Sequence, residues 1–570
     1  MGIHNDAVMD FPVRKYFPRK AAEDTASRRF PVELLLALPP LVAVGLCFIV
    51  PYGASFLNAF RGDVTVWEYA SIWRITGFTL RQAFFSVLVS MAIGLPGAWY
   101  IGSGQSRFTP LLRAFTAIPF AMPSILTVLG FVLFFGNSGW LNRAIFFFTG
   151  ESPLRILYRP EAIILAHGFL NFPLIIRLAG DGLERARRAY VPAAAALGAS
   201  PFVTAFTILL PITFPAIMSA VLLVFLYSFT SFAIVLVLGG GPASTTLPVE
   251  IYRHARIFLN YPNAGALAIV ETLIAVSIFL AYVFFGKKSR ETRTDTQERI
   301  LEAKDSSILP RIIMIIYIVF VAAFVLGPVG SIILESFLYQ PSRAASQVVS
   351  LRWWLALDET CLPALLRSLV LALSSATLAC ILAIMAAGSV KLFDDRENNL
   401  IANIVRFCAA APIISSGIVL GLGWLIIYGR NISRFPFSIV MLHALIALPF
   451  AFNFISEGFR SLEANILNAA MVSGANPIRG LLTTVLPLSM QRVRSSWGFA
   501  AALSMGELNA VMMLGIEGWE TLPLYIYRAA GAYRYGNACA AGTLLILGCA
   551  GGLFLSELGR NVRRKEKNVA

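Results

Sequence analysis

The stretch that decides the fold occurs twice in this chain. Residues 167–211 read HGFLNFPLIIRLAGDGLERARRAYVPAAAALGASPFVTAFTILLP, and residues 443–487 read HALIALPFAFNFISEGFRSLEANILNAAMVSGANPIRGLLTTVLP. The leading histidine, the proline six residues later, the glycine of GAS or GAN and the final proline all recur at a spacing of 276 residues. Chance does not keep so many glycines and prolines in register, so the chain contains an internal repeat.

The composition indicates a membrane protein. Hydrophobic residues make up 57% of the chain, charged residues make up 14%, and the mean hydropathy is +0.73. Soluble domains average about 25% charged residues. Apolar runs of about twenty residues recur throughout, and each is long enough to cross a bilayer as a helix. The short alternating segments of a β-barrel are absent, so we predict an all-α polytopic membrane protein.

About twelve spans are predicted, in two parallel repeats of six helices each. The first six lie near residues 34–57, 79–101, 110–136, 161–180, 212–238 and 264–285. The second six lie near residues 311–337, 364–388, 401–429, 436–457, 491–515 and 537–557. An even number of spans per repeat places both halves in the same orientation, with a translocation path expected between them.

The polar segments divide the chain further. The prediction is an N-terminal tail (1–30), a first permease half (31–286), a charged linker (287–309), a second half (310–558) and a basic C-terminal tail (559–570). The net charge of +15 falls in short clusters between apolar runs. This is the pattern of cytoplasmic loops beside membrane lipid, with both termini in the cytoplasm of a bacterium, and not that of a nucleic-acid surface. No cleavable signal sequence is expected at the N-terminus.

Two equivalent loops carry the most specific motif. Ala193, Ala194, Gly198 and Pro211 have the same spacing as Ala469, Ala470, Gly474 and Pro487. The glycines permit a positive φ and therefore a sharp turn after a short helix. Both copies resemble the EAA loop of bacterial ABC importer permeases, except that Pro192 and Asn468 replace the glutamate of the motif.

This resemblance implies a type I importer permease without bond chemistry of its own. In that family the EAA loops bind two copies of a cytoplasmic ATP-binding subunit, which uses ATP and Mg²⁺, and one periplasmic or lipid-anchored protein delivers the substrate. The chain has no phosphate-binding loop of the Gly-x-x-x-x-Gly-Lys-Ser/Thr type, so a partner must supply the energy. No bound cofactor and no metal site are expected.

The substrate is less constrained. The stretches SFAIVLVLGGGP (231–242) and TLPLYIY (521–527) are similar to the thiamine permeases, within the group of fused thiamine and ferric-iron permeases. Ferric iron or another small solute remains the alternative. Thiamine is an aromatic cation, so we predict that Glu271 and Glu507 lie on the translocation path as intramembrane carboxylates. The alternative is that these carboxylates do not touch the substrate, since Glu271 has no acidic counterpart in the second half and Glu507 lies near the outer part of its span.

Two further expectations follow from isolated residues, and two rival classes of function are also considered. Arg253 and Arg528, in equivalent outer loops, either contact the binding protein or extend to lipid headgroups. His167 and His443 have no nearby ligand partners in the sequence, which favours hydrogen bonds between helices over a metal site. A secondary transporter driven by an ion gradient is the rival of another class, and a membrane enzyme would need a catalytic cluster that the sequence lacks.

Overall fold

A computed structural model describes most of the chain. The described residues are 32–61, 71–102, 108–151, 154–239, 241, 244–291, 308–340, 347–395, 399–429, 437–462, 464–516 and 518–567. The predicted N-terminal tail and most of the predicted linker lie outside these ranges.

The regular elements among the described residues of the first half are all helical. They are α1 (Val32–Val44), α2 (Val50–Asn58), α3 (Ser71–Gly102), α4 (Thr109–Ala121), α5 (Ser124–Phe135), α6 (Trp140–Thr149), α7 (Pro160–Ala196), α8 (Pro201–Val203), α9 (Leu210–Phe229), α10 (Ala233–Leu238), α11 (Leu247–Tyr252) and α12 (Tyr261–Glu291). Three π-helical segments join neighbouring helices, at Gly45–Ile49, Thr204–Leu209 and Arg253–Ile257.

The second half repeats this order with a small hairpin added. It contains α13 (Ile308–Phe337), β1 (Leu338–Tyr339), β2 (Val348–Val349), α14 (Arg352–Leu355), α15 (Cys361–Asp395), α16 (Asn399–Ala410), α17 (Gly417–Tyr428), α18 (Phe437–Arg460), α19 (Ala464–Val472), α20 (Pro477–Gly480), α21 (Leu486–Leu488), α22 (Met490–Met505), α23 (Asn509–Leu514), α24 (Leu522–Gly531) and α25 (Tyr535–Lys567). β1 and β2 pair antiparallel, and a 3₁₀ turn (Ala411–Ile414) precedes α17.

The all-α membrane architecture is confirmed, and the structure refines the count and the bounds of the roughly twelve predicted spans. Within the described residues, ten helices are long and apolar enough to cross a membrane, or eleven if the bent pair Leu400–Ile414 and Gly417–Tyr428 is one span. The span predicted at 491–515 is divided instead into α22 and α23, with a break at residues 506–508. Hydropathy alone does not reveal such breaks, because residues on either side of them are equally apolar.

Small residues set the helix packing inside the first half. Gly94 and Gly102 on α3 face Ile175 and Leu183 on α7, and a Cβ atom at either glycine would lie less than 3 Å from these side chains. In a bilayer, helix association depends on such close backbone approach, because lipid tails are as apolar as leucine. The α3–α7 pair therefore forms a tightly packed unit that includes the first of the two equivalent loops.

The third span of each half breaks at the same place. The backbone N–H of Met122 donates to Pro119 (3.1 Å), and that of Ser415 donates to Pro412 (3.2 Å). The helix then restarts with α5 in the first half and with α17 in the second half. In the second half, the helical segments before and after the break are bent by 97° relative to each other. Across the boundary between the halves, α5 packs against α13, and α17 packs against α2.

Candidate functional site at the boundary between the halves

The break before α17 carries buried polar groups inside the membrane-spanning region. Ser416 caps α17, because its side-chain oxygen accepts a hydrogen bond from the backbone N–H of Val419 (3.3 Å). Its hydroxyl group lies close enough to donate to the carboxylate of Glu271, on α12 of the other half. Tyr52, on α2, lies beside Ser415 and near Glu271. Residues from both halves thus meet around this break.

Glu507 approaches the same break from another side. It occupies the interruption between α22 and α23, and its Oε1 accepts hydrogen bonds from the backbone N–H groups of Asn509 (2.9 Å) and Ala510 (3.1 Å). A Cβ atom at Gly417 would lie 3.1 Å from this same oxygen. The structure therefore brings both predicted path carboxylates, Glu271 and Glu507, next to residues 415–417. We call the group Tyr52, Glu271, Ser415, Ser416, Glu507 and Asn509 the central junction.

The equivalent break in the first half is apolar. Met122 and Pro123 occupy the positions of Ser415 and Ser416, and Gly506 packs against Pro123, with 2.6 Å between its virtual Cβ and the proline Cγ. The two breaks are thus alike in backbone and different in polarity. The serines were missed in the sequence analysis. The available signal was the run Pro412-Ile-Ile-Ser-Ser-Gly417, where polar and helix-breaking residues interrupt an apolar segment.

The two EAA-like loops have the backbone that their sequences predict. Gly198 has φ = +79° and Gly474 has φ = +91°, which confirms the expected sharp turn. The backbone N–H of Ala199 donates to Ala194 (3.0 Å), and that of Ala475 donates to Ala470 (3.1 Å). This is the Schellman arrangement that ends a helix at a left-handed glycine.

A new helix then starts in the same way in both loops. The side chains of Ser200 and Asn476 each accept a hydrogen bond from a backbone N–H three residues later, Val203 at 3.3 Å and Arg479 at 2.8 Å. Pro211 and Pro487 are the second residues of α9 and α21, where the missing proline N–H costs nothing.

The prediction of a separate short helix holds only for the second loop. There α19 contains Ala469 and Ala470 and follows a turn at Ser461 and Leu462. In the first loop, Ala193 and Ala194 belong to the last turns of α7, which runs for 37 residues from Pro160 to Ala196. No turn interrupts α7, and it continues through Pro192.

Both loops present apolar side chains outward. Leu197 and Val472, at the turn of each loop, are both 88% exposed, and Phe202 is 71% exposed. The inner side of each loop is anchored instead, because Ala194 and Leu467 are buried. Exposed apolar groups on a firmly held turn are typical of a surface that contacts another protein.

The two outer arginines each face a carboxylate of the same chain. Arg253 pairs with Glu250 and its side chain is 31% exposed, whereas Arg528 pairs with Glu520 at 3.0 Å and is 63% exposed. Arg528 is therefore the more accessible of the two. Their contact with a binding protein stays a prediction.

The expectation of hydrogen bonds at the repeat-related histidines is confirmed, with different partners in the two halves. His167 Nδ1 lies 3.1 Å from the hydroxyl oxygen of Ser86 on α3. His443 Nδ1 lies 2.9 Å from the hydroxyl oxygen of Ser504 on α22. Each histidine thus links two helices within its own half.

Comparison with known proteins agrees with this geometry. Residues 94–290, from α3 through α12, match the family described as binding-protein-dependent transport system inner membrane component. The EAA-like loop around Gly198 lies within this range, and the equivalent loop around Gly474 lies outside it.

The similarity to named proteins extends over both halves of the chain. The chain is 29% identical to the thiamine transport system permease protein ThiP of Brucella suis biovar 1 (strain 1330), over 87% of this chain and 88% of that protein. It is 27% identical to ThiP of Escherichia coli (strain K12), over 92% of this chain and 96% of that protein. It is also 26% identical to the spermidine/putrescine transport system permease protein PotB of Salmonella typhimurium (strain SL1344), over 44% of this chain and 88% of that protein.

Proposed function

We propose that this chain is the complete transmembrane pathway of an ATP-driven importer that takes up thiamine. Two copies of an ATP-binding subunit bind the loops around Gly198 and Gly474 from the cytoplasm, where both chain termini also lie. One periplasmic or lipid-anchored binding protein delivers the solute to the outer loops. The binding and hydrolysis of ATP, with Mg²⁺, belong to the partner subunit.

The observation that carries the proposal is the matched pair of loops. Each has a left-handed glycine, a capped restart of the helix and an outward apolar side chain, Leu197 or Val472. A secondary transporter has no use for two such surfaces. A pair of them suits a machine in which two identical subunits move the two halves relative to each other.

The choice of thiamine rests on the ThiP relatives, which cover most of the chain, and on the carboxylates at the central junction. A junction that contains a buried carboxyl group and an aromatic side chain suits an aromatic cation. The likeness to PotB favours a second candidate, a polyamine, because polyamines are also cations. Ferric iron is a third solute for the same machine.

The test is transport by the reconstituted complex. The chain is co-expressed with the ATP-binding subunit and the binding protein encoded beside it, and labelled thiamine uptake into proteoliposomes is measured with and without ATP. A double variant, Gly198→Pro with Gly474→Pro, should lose ATP-dependent uptake, because proline cannot adopt a positive φ. ATP-dependent uptake of putrescine or ferric iron alone would retain the machine and replace the substrate. Uptake by the single chain, driven by an ion gradient, would refute the proposal.

A further inference from the structure

Glu271 has an unusual position for a carboxylate. It lies in the middle of an apolar helix with only 1% of its surface exposed, and its Oε2 has no hydrogen-bond partner among the described residues. None of the ion pairs between described residues includes it. Burying a carboxylate is costly unless a cation or several hydrogen bonds compensate. One oxygen of Glu271 is therefore available to a partner that the described residues do not supply.

Glu507 differs from Glu271 although both border the same break. Its Oε1 is already occupied by the backbone N–H groups of Asn509 and Ala510, in the first turn of α23. This is the arrangement of a helix-capping side chain, and an uncharged acceptor oxygen performs it equally well. Glu507 therefore has a structural task that accounts for its position.

The surroundings of Glu271 suit a cation. Ser416 lies beside Glu271, close enough for its hydroxyl group to donate to the carboxylate. Asn509 places an amide oxygen in the junction that is buried and unpartnered among the described residues. Tyr52 adds an aromatic side chain that is 7% exposed. Acceptor oxygens beside an aromatic ring are the groups that bind an organic cation.

The location is also the one that transport requires. Tyr52 and Glu271 come from the first half, whereas Ser416 and Asn509 come from the second half. Any movement of one half against the other changes the distances within this group. A cation held here would pass from one half to the other as the pathway reopens on the opposite side.

We propose that Glu271, together with Tyr52, Ser416 and Asn509 of the central junction, forms a cation-binding site on the translocation path, in which Glu271 contacts the cationic group, and that Glu507 lies outside this site as a capping residue only. This inference rests on the proposed import function and adds to it the residue that recognises the charge. It applies to organic cations of either class, the thiazolium ring of thiamine or the ammonium groups of a polyamine.

The experiment measures uptake per ATP hydrolysed. The complete complex is reconstituted with saturating loaded binding protein, and labelled thiamine uptake and ATP hydrolysis are recorded in the same vesicles. Glu271→Gln keeps the size of the side chain and removes its charge. It should lower uptake per ATP by about ten- to a hundredfold, the range expected when a charged hydrogen-bond partner is lost. Stimulation of ATP hydrolysis by the loaded binding protein should persist, because the loops are unchanged.

Two control variants separate binding from folding. Glu507→Gln should keep uptake per ATP near that of the wild type, since its amide oxygen still caps α23, whereas Glu507→Leu should reduce the amount of folded protein. Glu335→Gln removes a partly buried carboxylate that faces Arg143 (3.7 Å) and should leave uptake per ATP unchanged. Glu271→Asp should recover part of the activity that Glu271→Gln loses.

The outcomes distinguish this inference from the function on which it rests. If the wild type imports thiamine and Glu271→Gln does so with the same uptake per ATP, the inference is wrong and the import function stands. If the wild type fails with thiamine, the same ratio is measured with labelled putrescine, and the prediction for Glu271→Gln is unchanged. A wild type that imports neither organic cation would overturn this inference, and the import function would then stand only if ATP-dependent uptake of ferric iron were measured.

Discussion

Gly423 packs directly against the backbone carbonyl of Pro51: a Cβ atom at position 423 would lie 2.2 Å from that oxygen. The same relationship occurs between Gly130 and Pro328, where the corresponding distance is 2.7 Å. In each case, the first span of one half crosses the third span of the other half. These two equivalent crossings connect the halves.

The first prediction is that these glycines are required for assembly of the two halves. Gly423→Ala and Gly130→Ala should each destabilise the protein by about 1–3 kcal/mol, because the added methyl group forces the backbones apart. The measurement is the apparent melting temperature of the purified protein in detergent. Gly53→Ala and Gly330→Ala are matched controls on the same crossing helices, since a Cβ atom at either position meets nothing within 4 Å. Equal melting temperatures for all four variants would contradict the prediction.

The second prediction concerns the unequal partners of the two histidines. Ser504→Ala should destabilise the second half, whereas Ser375→Ala should have little effect, because the Ser375 hydroxyl is buried without a partner among the described residues. A double-mutant cycle between His443→Phe and Ser504→Ala should give a coupling energy of about 0.6 kcal/mol, the usual value for hydrogen bonds between membrane helices. No measurable coupling, or a larger loss from Ser375→Ala, would count against this pairing.

The third prediction tests the backbone conformation of the two EAA-like loops, at Gly198 and Gly474. Valine at position 198 or 474 is strained at positive φ, whereas asparagine tolerates that conformation. Gly198→Val with Gly474→Val should therefore reduce ATP-dependent uptake strongly, and Gly198→Asn with Gly474→Asn should keep most of it. Both double variants should be present in the membrane in similar amounts, as measured by immunoblot. A valine variant as active as the asparagine variant would show that the turn is not needed.

The fourth prediction concerns the short outer helices α11 and α24. Their first backbone N–H groups, at Leu247 and Leu522, donate to the hydroxyl groups of Thr79 (3.1 Å) and Ser368 (2.8 Å) on long spans. Thr79→Val should cost about 1 kcal/mol, the usual effect of a lost helix cap, and should speed amide hydrogen exchange in residues 247–252. Thr76→Val is the control, because the Thr76 hydroxyl is buried without a partner among the described residues. Unchanged exchange in the Thr79 variant would contradict the assignment.

The local features of this protein were predictable from its sequence. Glycine and proline restrict the backbone at their own positions, so the repeat of Gly198 at Gly474 was sufficient to predict two equal turns. The helical membrane class followed from composition for a similar reason, since a bilayer leaves few alternatives to the helix. Glu271 and Glu507 stood out as carboxylates within apolar segments.

The tertiary structure decided which of these residues contact one another and which hydrogen bonds each one makes. An apolar run specifies that a helix crosses the membrane, but every face of it is similarly apolar, so its rotation and depth depend on packing with its neighbours. For that reason neither the position of Ser416 beside Glu271, across the two halves, nor the continuation of α7 through Pro192 was predictable from the sequence. It also left Glu271 and Glu507 equivalent. Only their hydrogen bonds distinguish them, because the backbone of α23 occupies one carboxylate and leaves an oxygen of the other without a partner.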